Sequence, residues 1–208
     1  MMYEDEMETG SILGFVLASV ALLGSPGPAI AALVAVGRSC GAGHAVRYFL
    51  ALQVGLALAA GFSVLGLVAL LQAFPPLRLV MLVVSIAYLL ALAWSIATAR
   101  PSGGVGAAGN GEGAWRLWGG FVLGIANPKA YLAFASLFGS FVLLDPAQGL
   151  GDGGLKWALV VLVMVAVDAA WLLAGRALGR VRMSPRAERA LNMGMGAAIL
   201  AACAAAVV

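Results

Sequence analysis

Long apolar segments make up most of this chain, and charged residues fall mainly between them. The charge-poor runs mark six stretches long enough to cross a bilayer, since a crossing helix needs about 20 apolar residues. The predicted spans are 11–37, 46–73, 77–99, 117–143, 155–177 and 187–207. Lys129 and Asp168 are the charged residues that fall well inside a span. The pattern predicts an all-α polytopic membrane protein with six transmembrane helices.

Two of the predicted spans carry prolines near their middles. The first contains Gly24-Ser25-Pro26-Gly27-Pro28-Ala29, and the fourth contains Gly124-Ile125-Ala126-Asn127-Pro128-Lys129-Ala130. Proline removes a backbone donor and clashes with the preceding turn, so helices 1 and 4 should each break at mid-membrane depth. Open backbone at that depth is tolerated only inside protein or around a watery cavity. Paired breaks in the two halves of a chain therefore point to the binding site of a transporter.

The equivalent positions of the two breaks predict an internal duplication. Pro28 and Pro128 lie 100 residues apart, which divides the chain into repeats at about 11–99 and 117–207. Three helices is an odd number, so the second repeat must enter the membrane upside down. The Gly-rich segment 100–116 joins the repeats as a linker, and 1–208 forms a single membrane transporter domain. The linker matches the dinucleotide pattern G-x-G-x-x-G at 104–109 but lacks the strand and helix that this motif requires.

Composition agrees with a membrane protein and excludes a soluble one. The chain is 63% hydrophobic and only 10% charged, whereas soluble domains carry about a quarter charged residues. The acidic N-terminal segment has no basic residue, so we expect the first helix to be retained rather than cleaved as a signal peptide. The net charge of +3 comes from residues at span boundaries and predicts no nucleic-acid partner. The two cysteines suggest no disulfide framework.

Arginine placement predicts the orientation. The connections after spans 1, 3 and 5 contain nine arginines, and the opposite side contains only Arg78 and Lys156 among basic residues. The positive-inside rule then places the arginine-rich connections in the cytoplasm and both termini outside. The nine are Arg38, Arg47, Arg100, Arg116, Arg176, Arg180, Arg182, Arg186 and Arg189.

Asp168 and Lys129 are the candidate chemical groups. A carboxylate at the depth of Asp168 costs at least a few kcal/mol, so it must be protonated, paired or in contact with water. We expect it to couple protons or to bind an ammonium; the alternative is a buried partner that only holds Lys129. Lys129 follows the helix 4 break, where a helix N-terminus already favours an anion. The alternative for Lys129 is snorkelling towards an interface.

Together these groups predict a site for a zwitterion such as an amino acid. Lys129 and freed amides would bind a carboxylate, and Asp168 would bind an ammonium. Gln53 is expected to contact the solute or, equally, to join helices, while Asn127 is expected to cap the second half of helix 4. The predicted solute site comprises Pro26, Gly27, Pro28, Gln53, Asn127, Pro128, Lys129 and Asp168. We predict no cofactor, no metal and no enzymatic activity, because the sequence contains no Walker A motif, metal-ligand cluster or catalytic cluster.

In these same residues the chain resembles the LysE/RhtB family of bacterial amino-acid exporters over almost its whole length. The family's S-P-G-P corresponds to Ser25-Pro26-Gly27-Pro28, and its N-P-K corresponds to Asn127-Pro128-Lys129. Weaker similarities lie at Gly37-Arg38-Ser39, Gly43, Gln53, Gly55, Ala87-Tyr88-Leu89-Leu90, Asp168, Gly175 and Leu191-Asn192. The chain departs from the family at Arg176, where an aromatic residue is common, and in the ending of helix 4 at Phe138-Gly139-Ser140-Phe141.

The resemblance implies a multi-pass carrier of the bacterial inner membrane that exports amino acids or their derivatives using the proton gradient. It also implies a homodimer. The small residues Gly194, Ala198, Ala202 and Ala206 line one face of helix 6, and they fit either packing within the monomer or a dimer contact in the lipid. The expected partners are a small zwitterionic solute, protons and membrane lipid.

Two rival functions remain open. The first is a carrier of the same fold for a cation, a metal, another small metabolite or an electron-carrying partner. A metal carrier would require more intramembrane carboxylates, histidines or cysteines than this chain offers. The second is a non-transporting membrane protein, such as an enzyme or an assembly protein. The absence of a catalytic cluster from the sequence and the two costly helix breaks argue against it.

Overall fold

The computed structural model describes residues 2–66, 74–98, 113–144, 150–181 and 184–205, and their regular elements are all helices. The first repeat region contains α1 (Met2–Gly24), α2 (Pro28–Ser39), α3 (Ala42–Val64) and α4 (Pro75–Ala97). The second contains α5 (Gly113–Ala126), α6 (Pro128–Ser140), α7 (Leu150–Arg180) and α8 (Pro185–Ala205). The predicted all-α class is confirmed, and each of the six predicted spans falls on helical structure.

The predicted breaks in helices 1 and 4 are confirmed. The axes of α1 and α2 meet at 65°, and those of α5 and α6 meet at 45°. Pro28 and Pro128 each occupy the first position of the second helix of their pair. Backbone N–H groups in the first turn of a helix have no acceptor within that helix, so proline, which lacks an N–H, loses no hydrogen bond there. Each proline therefore starts a new helix rather than distorting one helix internally.

Within the described residues, four of the predicted spans are long enough and apolar enough to cross a membrane. The helices α3 and α7 each qualify alone, and the bent pairs α1–α2 and α5–α6 each qualify as one broken span. Large apolar side chains point outward from these helices, as a bilayer requires: Leu13, Leu17, Leu132, Leu162 and Leu173 are all more than half exposed. The chain is therefore a polytopic helical membrane protein. That α4 and α8 also cross the membrane stays a prediction.

Several predicted boundaries differ from the structure. The helix α1 begins at Met2 rather than at residue 11, and α3 covers Ala42–Val64, whereas the second span is predicted as 46–73; residues 67–73 lie outside the described part of the chain. The helix α5 begins at Gly113, so the last residues assigned to the linker 100–116 are helical, whereas residues 99–112 lie outside the described part of the chain. The helix α7 extends from Leu150 to Arg180, well beyond the predicted 155–177. The polar residues at its ends had been assigned to loops, but a helix can carry them past the apolar layer.

Glycines bring two pairs of helices into backbone contact. At the crossing of α3 and α5, a Cβ atom on Gly55 would lie 2.4 Å from the carbonyl oxygen of Phe121, and one on Gly124 would lie 2.5 Å from that of Leu52. The helices α2 and α7 cross in the same way, through Gly37 against Leu172 and Gly175 against Val34. Small residues permit such approach, and close packing largely replaces the hydrophobic drive that lipid does not supply. Both crossings join a helix of the first half of the chain to a helix of the second half, close to the breaks.

Replacing Gly124 with alanine is expected to lower the free energy of unfolding by about 1–3 kcal/mol, because the new methyl group meets backbone that cannot move aside independently. Thermal unfolding of the purified protein in detergent measures the effect. The matched control is Gly154→Ala in α7, where a Cβ atom would meet nothing within 4 Å. The control should unfold at the wild-type temperature or above it, since alanine favours helix over glycine. Equal unfolding temperatures for Gly124→Ala and Gly154→Ala would contradict the packing argument.

Candidate functional site

The side chain of Lys129 joins the two helix breaks. Its Nζ donates hydrogen bonds to the carbonyl oxygen of Ser25 at 2.5 Å, to the Ser25 Oγ at 2.8 Å and to the carbonyl oxygen of Pro26 at 3.1 Å. These acceptors lie just beyond the end of α1, where backbone carbonyls lack partners within the helix and carry the negative end of the helix dipole. A lysine from the second break therefore caps the helix that ends at the first.

This geometry changes the predicted role of Lys129. The ammonium does not turn back to strengthen the N-terminus of its own helix, and it does not reach towards an interface; it lies in the middle of the first broken span. Gly27 makes room for it, since a Cβ atom there would lie 2.8 Å from the Cδ of Lys129. A solute carboxylate must therefore compete with backbone carbonyls for this ammonium.

The two helix ends at the second break have polar partners of their own. The Oδ1 of Asn127 accepts a hydrogen bond from the backbone N–H of Lys129 at 3.2 Å, which confirms the expected cap of α6. The hydroxyl of Tyr131 donates to the carbonyl oxygen of Ile125 at 2.9 Å, near the end of α5. Sequence reasoning missed Tyr131 and Ser25. Both are polar side chains beside a proline break, which is the signal that identifies such partners.

Asp168 is bonded to Gln53 rather than to Lys129. The Nε2 of Gln53 donates to the Oδ2 of Asp168 at 2.7 Å, and both residues are more than nine-tenths buried. The Oε1 of Gln53 is buried without a hydrogen-bond partner. Lys129 acts on Asp168 electrostatically, but their charged atoms form no ion pair within the 4 Å that defines one. The alternative in which Asp168 merely anchors Lys129 thus has no direct contact to support it.

One small cavity brings the two charged groups together. It is lined by residues on both sides of the first break, by Asn127 and residues of α6 at the second break, and by residues of α3 and α7. Of the predicted site, Gly27, Pro28, Asn127, Lys129 and Asp168 line it. Ser25, Leu56, Ala130 and Met164 are further lining residues. Gln53 contacts the cavity only through its bond to Asp168, and Pro26 and Pro128 shape the breaks without lining it.

The cavity is too small for an amino acid in this conformation. Its volume is about 40 Å³, enough for about three water molecules. Pockets that enclose small-molecule ligands measure about 300–1,000 Å³. The structure therefore corresponds to a closed site, and binding of a solute requires the two breaks to move apart. Within the described residues, no group of three or more His, Cys, Asp or Glu side chains is arranged to hold a metal ion.

Comparison with protein families identifies one match that covers most of the chain. A family model described as LysE type translocator matches residues 20–208, which include both breaks, Gln53 and Asp168. Comparison with the curated proteins and with the solved structures finds no match.

The cap at the second break can be tested by a matched pair of substitutions. Asn127→Ala should lower the free energy of unfolding by about 1 kcal/mol, because it leaves the N–H of Lys129 unpaired at mid-membrane depth. Asn127→Ser should retain most of the stability, since serine also accepts this bond. Thermal unfolding in detergent compares them. If both variants lose the same stability, the side-chain cap is not what Asn127 contributes.

Proposed function

The chain belongs to the LysE type translocator family, and from this membership we propose that it is a secondary exporter of an amino acid or amino-acid derivative. The family supports a membrane transporter of a small solute. The nature of the solute, the direction of transport and the energy source are our proposals, and the rest of this section gives the physical argument for each.

The observation that carries the proposal is a single buried cavity with opposite charges on two elements. Lys129 follows the second break, and Asp168 lies on α7; both line the same cavity. An α-amino acid carries a carboxylate and an ammonium only a few bonds apart, so it can satisfy both groups at once. A simple cation or anion would match only one of the two charged groups and leave the other with its present partners.

Helix contacts support the proposed inverted repeat. If α1–α4 correspond to α5–α8, the contact of α3 with α5 corresponds to that of α7 with α1, and the contact of α2 with α7 corresponds to that of α6 with α3. Both members of each pair occur, and α3 also contacts α7 while α4 contacts α8. In the 100-residue offset of the repeats Ala57 corresponds to position 157, and the Nε1 of Trp157 donates to the carbonyl oxygen of Ala57 at 2.9 Å, so an axis between the repeats would pass near this bond. Alternating access by rocking of one repeat against the other suits this arrangement.

Competition for Asp168 gives a physical basis for proton antiport. A proton and a solute ammonium neutralise the same carboxylate, so one must leave before the other binds. Lys129 faces a comparable choice between the carbonyls at the end of α1 and the carboxylate of the solute. We propose that an amino acid enters from the cytoplasmic side, displaces the proton from Asp168 and draws Lys129 away from Ser25. A proton arriving from outside then releases the amino acid.

The remaining parts of the proposal concern the setting of the carrier. We place it in the bacterial inner membrane with its arginine-rich connections in the cytoplasm, as the positive-inside rule favours. We also propose a homodimer through the small-residue face of α8: Gly194 is exposed, and a Cβ atom there would meet nothing within 4 Å, while the surroundings of Ala198, Ala202 and Ala206 lie outside what the structure describes.

Transport in everted membrane vesicles with an imposed proton gradient tests the proposal, using a panel of labelled amino acids. Wild type should accumulate at least one of them. Asp168→Asn should abolish gradient-driven accumulation, because the amide can neither bind nor release the proton. The matched control is Asp152→Asn on the same helix, which removes a carboxylate that lies outside the cavity and pairs with Lys156. Asparagine can still accept the backbone hydrogen bonds from Leu143 and Leu144 and a hydrogen bond from Lys156.

Two outcomes would contradict the proposal. Normal accumulation by Asp168→Asn would exclude proton coupling through this carboxylate. Failure of the wild type to accumulate any amino acid, in vesicles shown to hold both the protein and the gradient, would exclude the amino-acid cargo. A panel of cations and other metabolites would then test the rival cargoes.

A further inference from the structure

Two arginines away from the central cavity, one buried and one half-buried, have buried guanidinium nitrogens without a hydrogen-bond partner. Arg38, near the end of α2, is 8% exposed; its Nη1 donates to the Oδ1 of Asn192 on α8, and its Nε has no partner. Arg176 lies on α7, and its Nη1 is buried without a partner. Among the ion pairs of the described residues, none involves either guanidinium.

The backbone places the two arginines at the same helix crossing. A Cβ atom on Gly37 would lie 3.2 Å from the backbone nitrogen of Arg176, and one on Gly179 would lie 2.6 Å from the carbonyl oxygen of Arg38. Asn192 adds α8 to this junction through its bond to Arg38. The crossing thus gathers two positive charges and unused N–H donors between three helices.

Such an arrangement is unfavourable unless an anion joins it. A guanidinium cannot lose its proton in a protein. A buried charge without a partner costs several kcal/mol, and two like charges at one crossing add repulsion. The planar fork of arginine matches the oxygens of a phosphate or carboxylate group. The junction therefore has the charge and the donors of an anion site.

We propose that Arg38 and Arg176 bind the phosphate group of an anionic phospholipid at the junction of α2, α7 and α8. The site is separate from the solute cavity, since Arg176 lies eight residues beyond Asp168, or about 12 Å along α7. Exposed arginines surround it on the same helices, at positions 180, 186 and 189. Basic pockets between helices at this side of a membrane are typical sites for anionic headgroups.

This proposal does not depend on the solute or on proton coupling; it requires only that the chain lies in a membrane. With both Arg38 and Arg176 at the junction, two positive charges contact the phosphate group of one lipid.

The test is lipid binding by the full-length protein in detergent, followed as the rise in unfolding temperature during titration with phosphatidylglycerol. Phosphatidylcholine with the same acyl chains is the lipid control, and inorganic phosphate is a second probe. We compare wild type with Arg176→Gln, and with Arg47→Gln as the control variant of an exposed arginine on α3, outside the junction. Losing a charged hydrogen bond should weaken binding of phosphatidylglycerol about tenfold in Arg176→Gln and leave it unchanged in Arg47→Gln.

The outcomes separate the sources of the phosphate group. Stabilisation by phosphatidylglycerol alone, weakened in Arg176→Gln, supports the lipid site. Stabilisation by inorganic phosphate that also depends on Arg176 supports the same site with a free anion. An equal response to both lipids, or an unchanged affinity in Arg176→Gln, overturns the proposal. If Arg176→Gln fails to fold, Arg176→Lys retains the charge without the planar fork and should still bind more weakly than wild type.

Discussion

The ammonium of Lys129 on the carbonyls of Ser25 and Pro26 is the interaction on which the rest of the site depends. Backbone groups in the hydrocarbon layer need partners within the protein, and a broken helix exposes several of them at once. The first break has lost the hydrogen bonds that a continuous helix would make. A charged side chain from the second break supplies replacements, and each break thereby stabilises the other.

Other features of the site follow from this bridge. The stem of Lys129 passes beside Gly27, where a larger residue's side chain would collide with it. Asn127 and Tyr131 form hydrogen bonds with backbone groups that Lys129 does not reach. Asp168 remains free of a direct ion pair and is positioned by Gln53 from another helix. The result is a small cavity in which both charged groups already have polar partners. Under the proposed function a solute replaces those partners when it binds, which would link recognition to movement of one half of the chain against the other.

The sequence predicted much of this arrangement. Charge-free runs located the helices, and Pro28 and Pro128 located the breaks, because proline acts locally and its effect does not depend on tertiary contacts. Asn127 was predicted as a cap because capping is also a local effect, between residues close together in the chain. The partners of Lys129, Gln53 and Asp168 were not predictable, since each lies on a different element and more than 100 positions away in the chain. The crossings at Gly55 and Gly124 also depend on which helices meet.

Boundaries were predicted less well than helices. The polar ends of α7 suggested loops, yet the helix continues through them to Arg180. Hydropathy shows where a segment is apolar, whereas a helix ends where its backbone N–H and C=O groups no longer find partners within the helix. The unpaired donors of Arg38 and Arg176 could not be found from sequence either. Arginines near span ends are ordinary, and only the packing of α2, α7 and α8 shows that guanidinium nitrogens of these two are buried.

The central claim is that the bridged breaks open to water and solute during transport. The most direct measurement is the labelling of Ser25→Cys by a water-soluble thiol reagent in membranes, with the native cysteines replaced. Leu132→Cys is the control, because Leu132 lies close to Lys129 in sequence but is 64% exposed on the lipid-facing side of α6. We predict that Ser25→Cys reacts, that a transported amino acid slows the reaction, and that Leu132→Cys stays unlabelled. An unreactive Ser25→Cys, or labelling that no amino acid alters, would contradict the account.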